Sequence, residues 1–196
     1  TAVNEIDGAQ LVWVSAGEFI RGSDKYADER PQKKINLDGY WVYKHPVTLG
    51  QYKKFCEATG KTYKPMWGQG MHSDPKGNED DYAVQVNWYE AEEYAKWAGT
   101  ALPTEAQWEK AARGTDGREF PWGNEWSPEK CVSYEKTTGR FSTGFMSVGE
   151  HPGGASPSGA EDMAGNVWEW VADWYGHDYY DSAPSKNPNG PETGSH

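Results

Sequence analysis

The sequence predicts an α+β fold with little regular secondary structure, built from three helices and a few short antiparallel strands. Three observations carry this. The chain has 11 Trp and 12 Tyr but only four leucines (Leu11, Leu37, Leu49, Leu102) and three isoleucines (Ile6, Ile20, Ile35). Aromatic rings must therefore fill most of the interior, and their N–H and O–H groups need partners when buried. The 23 glycines and 12 prolines favour turns and irregular backbone. Three segments carry helix starts and stops at matched ends. With 196 residues, the chain is long enough for one domain with a real core.

The elements follow in chain order. Residues 11–14 and 18–20 flank Ser15-Ala16-Gly17 and read as a short hairpin. Residues 24–34 form a charged loop, and residues 35–42 have strand character. The first helix has Thr48 as N-cap, carries Tyr52, Phe55, Cys56 and Thr59 on one face, and stops at Gly60. The second starts at Asn87 with Glu90 at the third helical position and ends at Gly99, with Ala91, Tyr94, Ala95 and Ala98 as a narrow packing face. The third starts at Thr104 with Gln107 at the same position and ends at Gly114; Trp108, Ala111 and Ala112 form its inner side. Residues 61–82 are a long polar connection. No further helix is expected after Gly114. "FPWGNEW" (120–126) is a turn with aromatic anchors, and residues 150–160 are loop by composition. Residues 168–174 alternate Trp168, Trp170, Ala172 and Trp174 against Glu169, Val171 and Asp173, the pattern of a half-buried strand. Residues 182–196 show no periodicity.

Charge narrows the function. The net charge is −11 and no basic stripe exists, so the chain is a poor nucleic-acid binder. Metal cations and basic partners suit it better. No apolar run approaches the 18 or so residues of a membrane span. Cys56 and Cys131 fit neither a disulfide scaffold nor a Cys-rich zinc site. One buried thiol and one loop thiol is the plainer reading, with a single disulfide as its rival. The compartment stays open, secreted or periplasmic being the favoured choice.

Four motifs in this order and spacing, "VNWYEAEEYAKWAG", "LPTEAQWEKAARG", "FPWGNEW" and "DMAGNVWEW", resemble the formylglycine-generating-enzyme, or sulfatase-modifying-factor, family. "LVWVSAGEFIRGS" resembles that family's opening strands, and "YWVYKHPVTLGQYKKFCEATG" the approach to its first helix. The resemblance covers residues 10–180. It implies a variant of the C-type lectin fold with bound calcium. It also implies a range of activities, from a copper- and O₂-dependent oxidase that converts a sulfatase cysteine to formylglycine, to sulfoxide synthases, pyoverdine-maturation proteins and non-catalytic ligand-binding domains. Fold alone does not choose among them.

Departures from the family pattern bear on that choice. The oxidase's two active-site cysteines lie near its C-terminus, and neither Cys56 nor Cys131 matches them. Residues 1–196 therefore read as a single family domain, incomplete at the C-terminus, with no catalytic residues of its own. Copper is expected only with cysteines C-terminal to this chain. The five histidines lack the spacing of the iron-binding synthases. Leu49 stands where Asn is usual and Ala101 where Arg is usual. Residues 131–148 lack the Asn/Asp pair of the family's other calcium site.

The acids of "DMAGNVWEW" are the main candidate site. Calcium takes six to eight hard oxygens, some from carboxylates and some from backbone carbonyls. Asp162 and Glu169 offer carboxylates, and Gly165 permits a turn that aims its own carbonyl and that of Val167 inward. On the residues alone, a carboxylate accepting Trp and backbone N–H groups without an ion is a strong rival. The resemblance implies calcium, with side-chain oxygens from Asp162 and Glu169 and backbone oxygens from Gly165 and Val167. Asp173 reads as solvent-facing or a cap partner. Glu105 and Glu109 read as a capping-turn acid and a salt-bridge acid for Arg113 rather than as an acid–base pair. The tryptophans read as core filling rather than a sugar platform. Three functions compete: a calcium-stabilised module for a protein or small-molecule ligand, the larger part of a formylglycine-generating oxidase, and a scaffold completed by a complementary C-terminal fragment or partner chain.

Overall fold

A computed structural model describes residues 1–64, 78–133 and 147–194. Most of the long polar connection, and residues 134–146 of the expected degenerate calcium segment, lie outside the described residues.

The strands are β1 (Ala2–Val3), β2 (Gln10–Val14), β3 (Gly17–Arg21), β4 (Lys33–Leu37) and β5 (Tyr40–Tyr43). They form two small sheets: a three-stranded one in the order β1-β2-β5 and a two-stranded one pairing β3 with β4, all antiparallel. This corrects the expected hairpin. β2 and β3 are separated by only two residues, yet they enter different sheets. The buried Lys110 of the third helix explains the parting: its ammonium donates to the carbonyls of both Ser15 and Gly17, 2.8 Å each. The expected strand over residues 35–42 likewise divides at Asp38-Gly39. A Cβ on Gly39 would lie 2.4 Å from the Trp13 ring, so only glycine permits that close approach.

The helices are α1 (Leu49–Thr59), α2 (Trp88–Trp97) and α3 (Glu105–Arg113). All three expected N-caps hold, each as a reciprocal capping box: Thr48 with Gln51, Asn87 with Glu90, and Thr104 with Gln107. Gly60, Gly99 and Gly114 follow the helices with φ of 69°, 70° and 69°. A single extra turn, α4 (Tyr179–Ser182), breaks the expectation of no later helix. It lacks a side-chain cap and is fixed by tertiary contact, Tyr180 being buried under the Arg21 guanidinium, 3.8 Å from the ring centroid.

The core is in three parts. Val12 and Val14 of β2 pack with Ala111, Ala112, Ala160 and Met163. Phe19, Ile35 and Leu37 of the second sheet pack on Ala106. Between α1 and α2 the filling is aromatic, as composition required: Tyr52, Phe55, Tyr94 and Trp97 form a chain of ring contacts 5.2–5.8 Å apart. The polar tips of this layer converge on Asp7. Its buried carboxylate accepts hydrogen bonds from the Tyr43 hydroxyl at 2.5 Å, the Tyr94 hydroxyl at 2.6 Å and the Ala9 amide at 2.8 Å.

The stretch from Trp168 to Trp174 is a second correction. It forms no strand of either sheet. Trp168 is fully exposed, and Trp170 and Trp174 are each more than a third exposed, so these tryptophans are not core filling. The segment runs beside α2 and α3 on long-range bonds. The Trp170 indole donates to the Val86 carbonyl, the Trp88 indole to that of Val171, and the Ala172 amide to that of Pro103, each at 2.8 Å.

Candidate functional site

The coil carrying the candidate acids begins where β5 ends. The Glu161 amide donates to the Lys44 carbonyl at 2.7 Å, which ties the coil to the first sheet. The buried Met163 then anchors it in the core. Between these anchors and Trp168 the backbone coils tightly. Asp162, Gly165 and Asn166 all have left-handed φ, 59°, 88° and 61°. Gly165 has a second requirement besides its φ: a Cβ there would sit 2.1 Å from the Val132 carbonyl oxygen. Three left-handed residues within five give the coil its tight turns.

The side chains divide into two groups. The buried Asp162 accepts a hydrogen bond from the Gly149 amide at 2.7 Å through Oδ2. Neighbouring Glu161, also buried, pairs with Lys44 at 3.0 Å. The His45 Nδ1 lies 3.9 Å from a carboxylate oxygen of each acid and makes no hydrogen bond. On the far side of the coil, Glu169 Oε2 accepts from the Trp108 indole at 3.1 Å. Burial, and then the nearby negative charge of Asp162, push the Glu169 carboxyl up to about 7. The Asp162 charge thus adds to burial in disfavouring the ionised form of Glu169. Among the described residues no three His, Cys, Asp or Glu side chains form a metal-binding group. Asp162 accepts a backbone N–H and Glu169 an indole N–H, which is the ion-free arrangement that the residues alone allow; their two carboxylates would also be the hard oxygens that calcium takes.

The other acids take structural positions. Asp173 Oδ2 accepts from the Glu105 amide at 2.8 Å, so it acts as a cap partner for α3. Glu109 is buried, paired with Arg113, and accepts from the Gly22 amide at 2.8 Å. Glu105 receives the Tyr180 hydroxyl, and burial of its carboxyl beside Glu109 pushes it up to about 7. Cys56 and Cys131 are both buried and no disulfide joins them. The expected loop thiol, Cys131, is therefore interior, and burial pushes the Cys56 thiol above its ordinary range.

Beside the coil lies a cavity of about 440 Å³, which no motif announced. Tyr40 to Tyr43 form one wall, Val84, Val86 and Leu102 contribute apolar surface, and Trp168, Glu169 and Trp170 stand along it. The signal was present in the sequence, since Trp168 and Trp170 alternate with Glu169, but alternation alone does not distinguish a strand from an extended rim.

A small α+β frame of capped helices and short strands, with a long C-terminal coil that bears the acids, is the architecture of the sulfatase-modifying factors. The family profile for the sulfatase-modifying factor enzyme 1-like domain matches residues 2–194, and the chain belongs to that family. Among its relatives is the formylglycine-generating enzyme of Thermomonospora curvata, 40% identical over 239 residues covering 94% of this chain and 79% of that protein. Another is the serine/threonine-protein kinase Pkn1 of Chlamydia trachomatis, 35% identical over 202 residues covering 94% of this chain. The chain spans only 31% of the length of that chlamydial relative. Of solved structures, PvdO from Pseudomonas aeruginosa superposes with a TM-score of 0.80 at 25% identity, covering 98% of this chain and 81% of PvdO. The Treponema denticola variable protein 1 shares the fold, with a TM-score of 0.75 at 17% identity over 94% of this chain and 80% of that one.

Proposed function

We propose that this chain is a calcium-stabilised domain of the sulfatase-modifying-factor family that works as a binding module for a protein or small-molecule ligand rather than as a self-sufficient catalyst. The observation that carries this reading is the cavity of about 440 Å³ with apolar walls and exposed tryptophans at its margin. Its size falls within the range of ligand pockets, roughly 300–1,000 Å³. Trp41, Trp168 and Trp170 leave large apolar area in water next to it, surface that association would bury. Both cysteines are interior, in positions unsuited to a reacting thiolate. Asp162 and Glu169 would hold calcium through side chains, Gly165 and Val167 through carbonyls, and the ion would pin the coil that forms the cavity's margin.

The test is thermal unfolding in millimolar calcium against chelator, with calorimetric titration of the ion. Selective binding to the folded state raises the melting temperature, and Asp162→Ala abolishes that rise. An Asp162→Ala variant with an unchanged calcium response overturns the assignment.

The 40% identity to the Thermomonospora curvata formylglycine-generating enzyme favours a second reading. In it the chain is the larger part of such an oxidase, with copper and O₂ chemistry placed at cysteines on a segment outside these 196 residues. Oxidation of a Cys-x-Pro-x-Arg peptide by the chain together with that segment and copper would decide for it.

A further inference from the structure

We propose that residues 179–187 form a pH-responsive clasp, docked on the frame through a partly buried charge cluster that is balanced only while Glu105 keeps its proton. The proposal is independent of the binding-module reading.

The clasp has little of its own to hold it. α4 is one turn without a side-chain cap, too short to persist alone. Its attachments go to distant residues. The buried Arg21 of β3 donates to the Tyr180 carbonyl at 3.2 Å, with its guanidinium against the Tyr180 ring. Lys33 of β4 donates to the carbonyls of Tyr180 at 3.2 Å and Asp181 at 2.8 Å. Further along, the Asn36 amide of β4 donates to the Ser185 carbonyl at 2.8 Å, and the Asn187 amide to the Asn36 carbonyl at 2.9 Å.

Charges from four elements meet under this turn. Glu109 on α3, Asp173 on the coil and Arg21 on β3 all face the Glu105 carboxyl, and Tyr180 on α4 gives it a hydroxyl. Arg113 pairs with Glu109, Tyr179 faces Asp173 and Arg21, and Lys33 is engaged with the carbonyls of the turn. With Glu105 ionised, the cluster sets three carboxylates, Glu105, Glu109 and Asp173, against two guanidiniums, Arg21 and Arg113. One proton on Glu105 makes the charges equal. The hydrogen bonding is incomplete even when docked, because Arg21 Nε and Glu109 Oε2 are buried without a partner among the described residues. The cluster therefore has little reserve with which to bear an added charge.

Burial, and then Glu109 and Asp173, push the Glu105 carboxyl from 4.5 up to about 7. Undocking returns it toward its ordinary value, so the docked state keeps a proton that the undocked state releases between those values. Docking is thus firmest below pH 4.5 and weakens as pH rises to 7. Burial raises Glu109 and Asp173 as well, which adds to the same trend. The helices lack such a cluster at α1, so the clasp loosens while that part of the frame stays closed.

The experiment is amide hydrogen exchange read by NMR on the whole chain from pH 5 to 7.5, corrected for the intrinsic rate of each amide. Protection at Asn36, Ala183 and Asn187 is expected to fall about tenfold or more across that window, while the Phe55 amide in α1 holds constant. Glu105→Gln, uncharged throughout, keeps the protection flat. Tyr180→Phe removes a donor to the ionised carboxyl and moves the fall to higher pH. His177 is exposed and faces Asp178 and Asp28 rather than the cluster, so His177→Gln leaves the fall in place. Parent protection that is flat or grows with pH overturns the proposal. So does a fall that persists in Glu105→Gln, vanishes in His177→Gln, or is matched at Phe55. If Glu105→Gln does not fold, Tyr180→Phe decides, and a fall that it leaves unmoved sinks the idea.

Discussion

Helices α1, α2 and α3 and the coil from Ser147 to Gly194 are held by different means. Each of α1, α2 and α3 closes its own first turn with residues three apart, Thr48 with Gln51, Asn87 with Glu90 and Thr104 with Gln107. The coil has local turns, such as Gly154 on His151, Gly159 on Ser156 and α4, but they do not place it against the frame. Its fixings reach back to Lys44, Val86, Pro103 and Glu105. A helix can be specified by neighbours in sequence, whereas a coil of this kind exists only once the helices and sheets offer their carbonyls and amides. The acids of the candidate site belong to the second kind, so their geometry depends on the whole frame.

Four measurements break or sharpen that contrast, from the largest expected effect to the smallest. Phe55→Ala empties the ring layer between α1 and α2 and should cost about 4 kcal/mol in urea unfolding, a loss shared by frame and coil. Gly165→Ala strikes the coil alone. A left-handed φ and the Val132 carbonyl 2.1 Å from the new Cβ predict a loss of about 3 kcal/mol, with hydrogen exchange rising first in the coil and little changed in α1. Thr104→Ala removes one cap and should cost about 1 kcal/mol. Because α3 also receives Asp173, exchange should rise at both the helix start and residues 172–174.

The effect that is smallest at pH 7 is that of the Glu169 proton, which shows as a pH slope. The folded Glu169 carboxyl is raised from 4.5 to about 7, so the folded chain keeps a proton that the unfolded chain releases between those values. Its contribution to stability is full below pH 4.5 and is lost as pH rises through 7. In calcium-free buffer the difference in melting temperature between the parent and Glu169→Gln should therefore shift against the parent across that window. A difference that stays flat would show that the carboxyl is not buried as described.

Much of the frame was legible because its signals are short. The three N-caps and their glycine stops could be read directly, and so could the aromatic interior. The strand pairing could not. Ser15-Ala16-Gly17 looks like a hairpin turn, and what separates β2 from β3 is an ammonium 95 residues away from Ser15 in sequence. The Asp7 carboxylate gave no sign of its two tyrosine partners, 36 and 87 residues distant. Asp162 and Glu169 were singled out by their resemblance to a family motif, since the residues alone fit an ion-free carboxylate equally well. The exposure of Trp168 was missed because composition argued for aromatic filling and could not say which rings were spare.

Lys110 gives the divided sheet a meaning beyond its stability. Two strands adjacent in sequence are normally welded by their own turn, and here the weld is a buried cation reaching from a helix to two carbonyls. Burial lowers the proton affinity of its amine. Lys110 thus pins the seam between the sheets, alongside the packing of both sheets on α3. No ladder bond joins the β2–β5 pair to the β3–β4 pair, so their relative angle is set by this pin and by the α3 alanines beneath them. The orientation of one sheet against the other is set from α3.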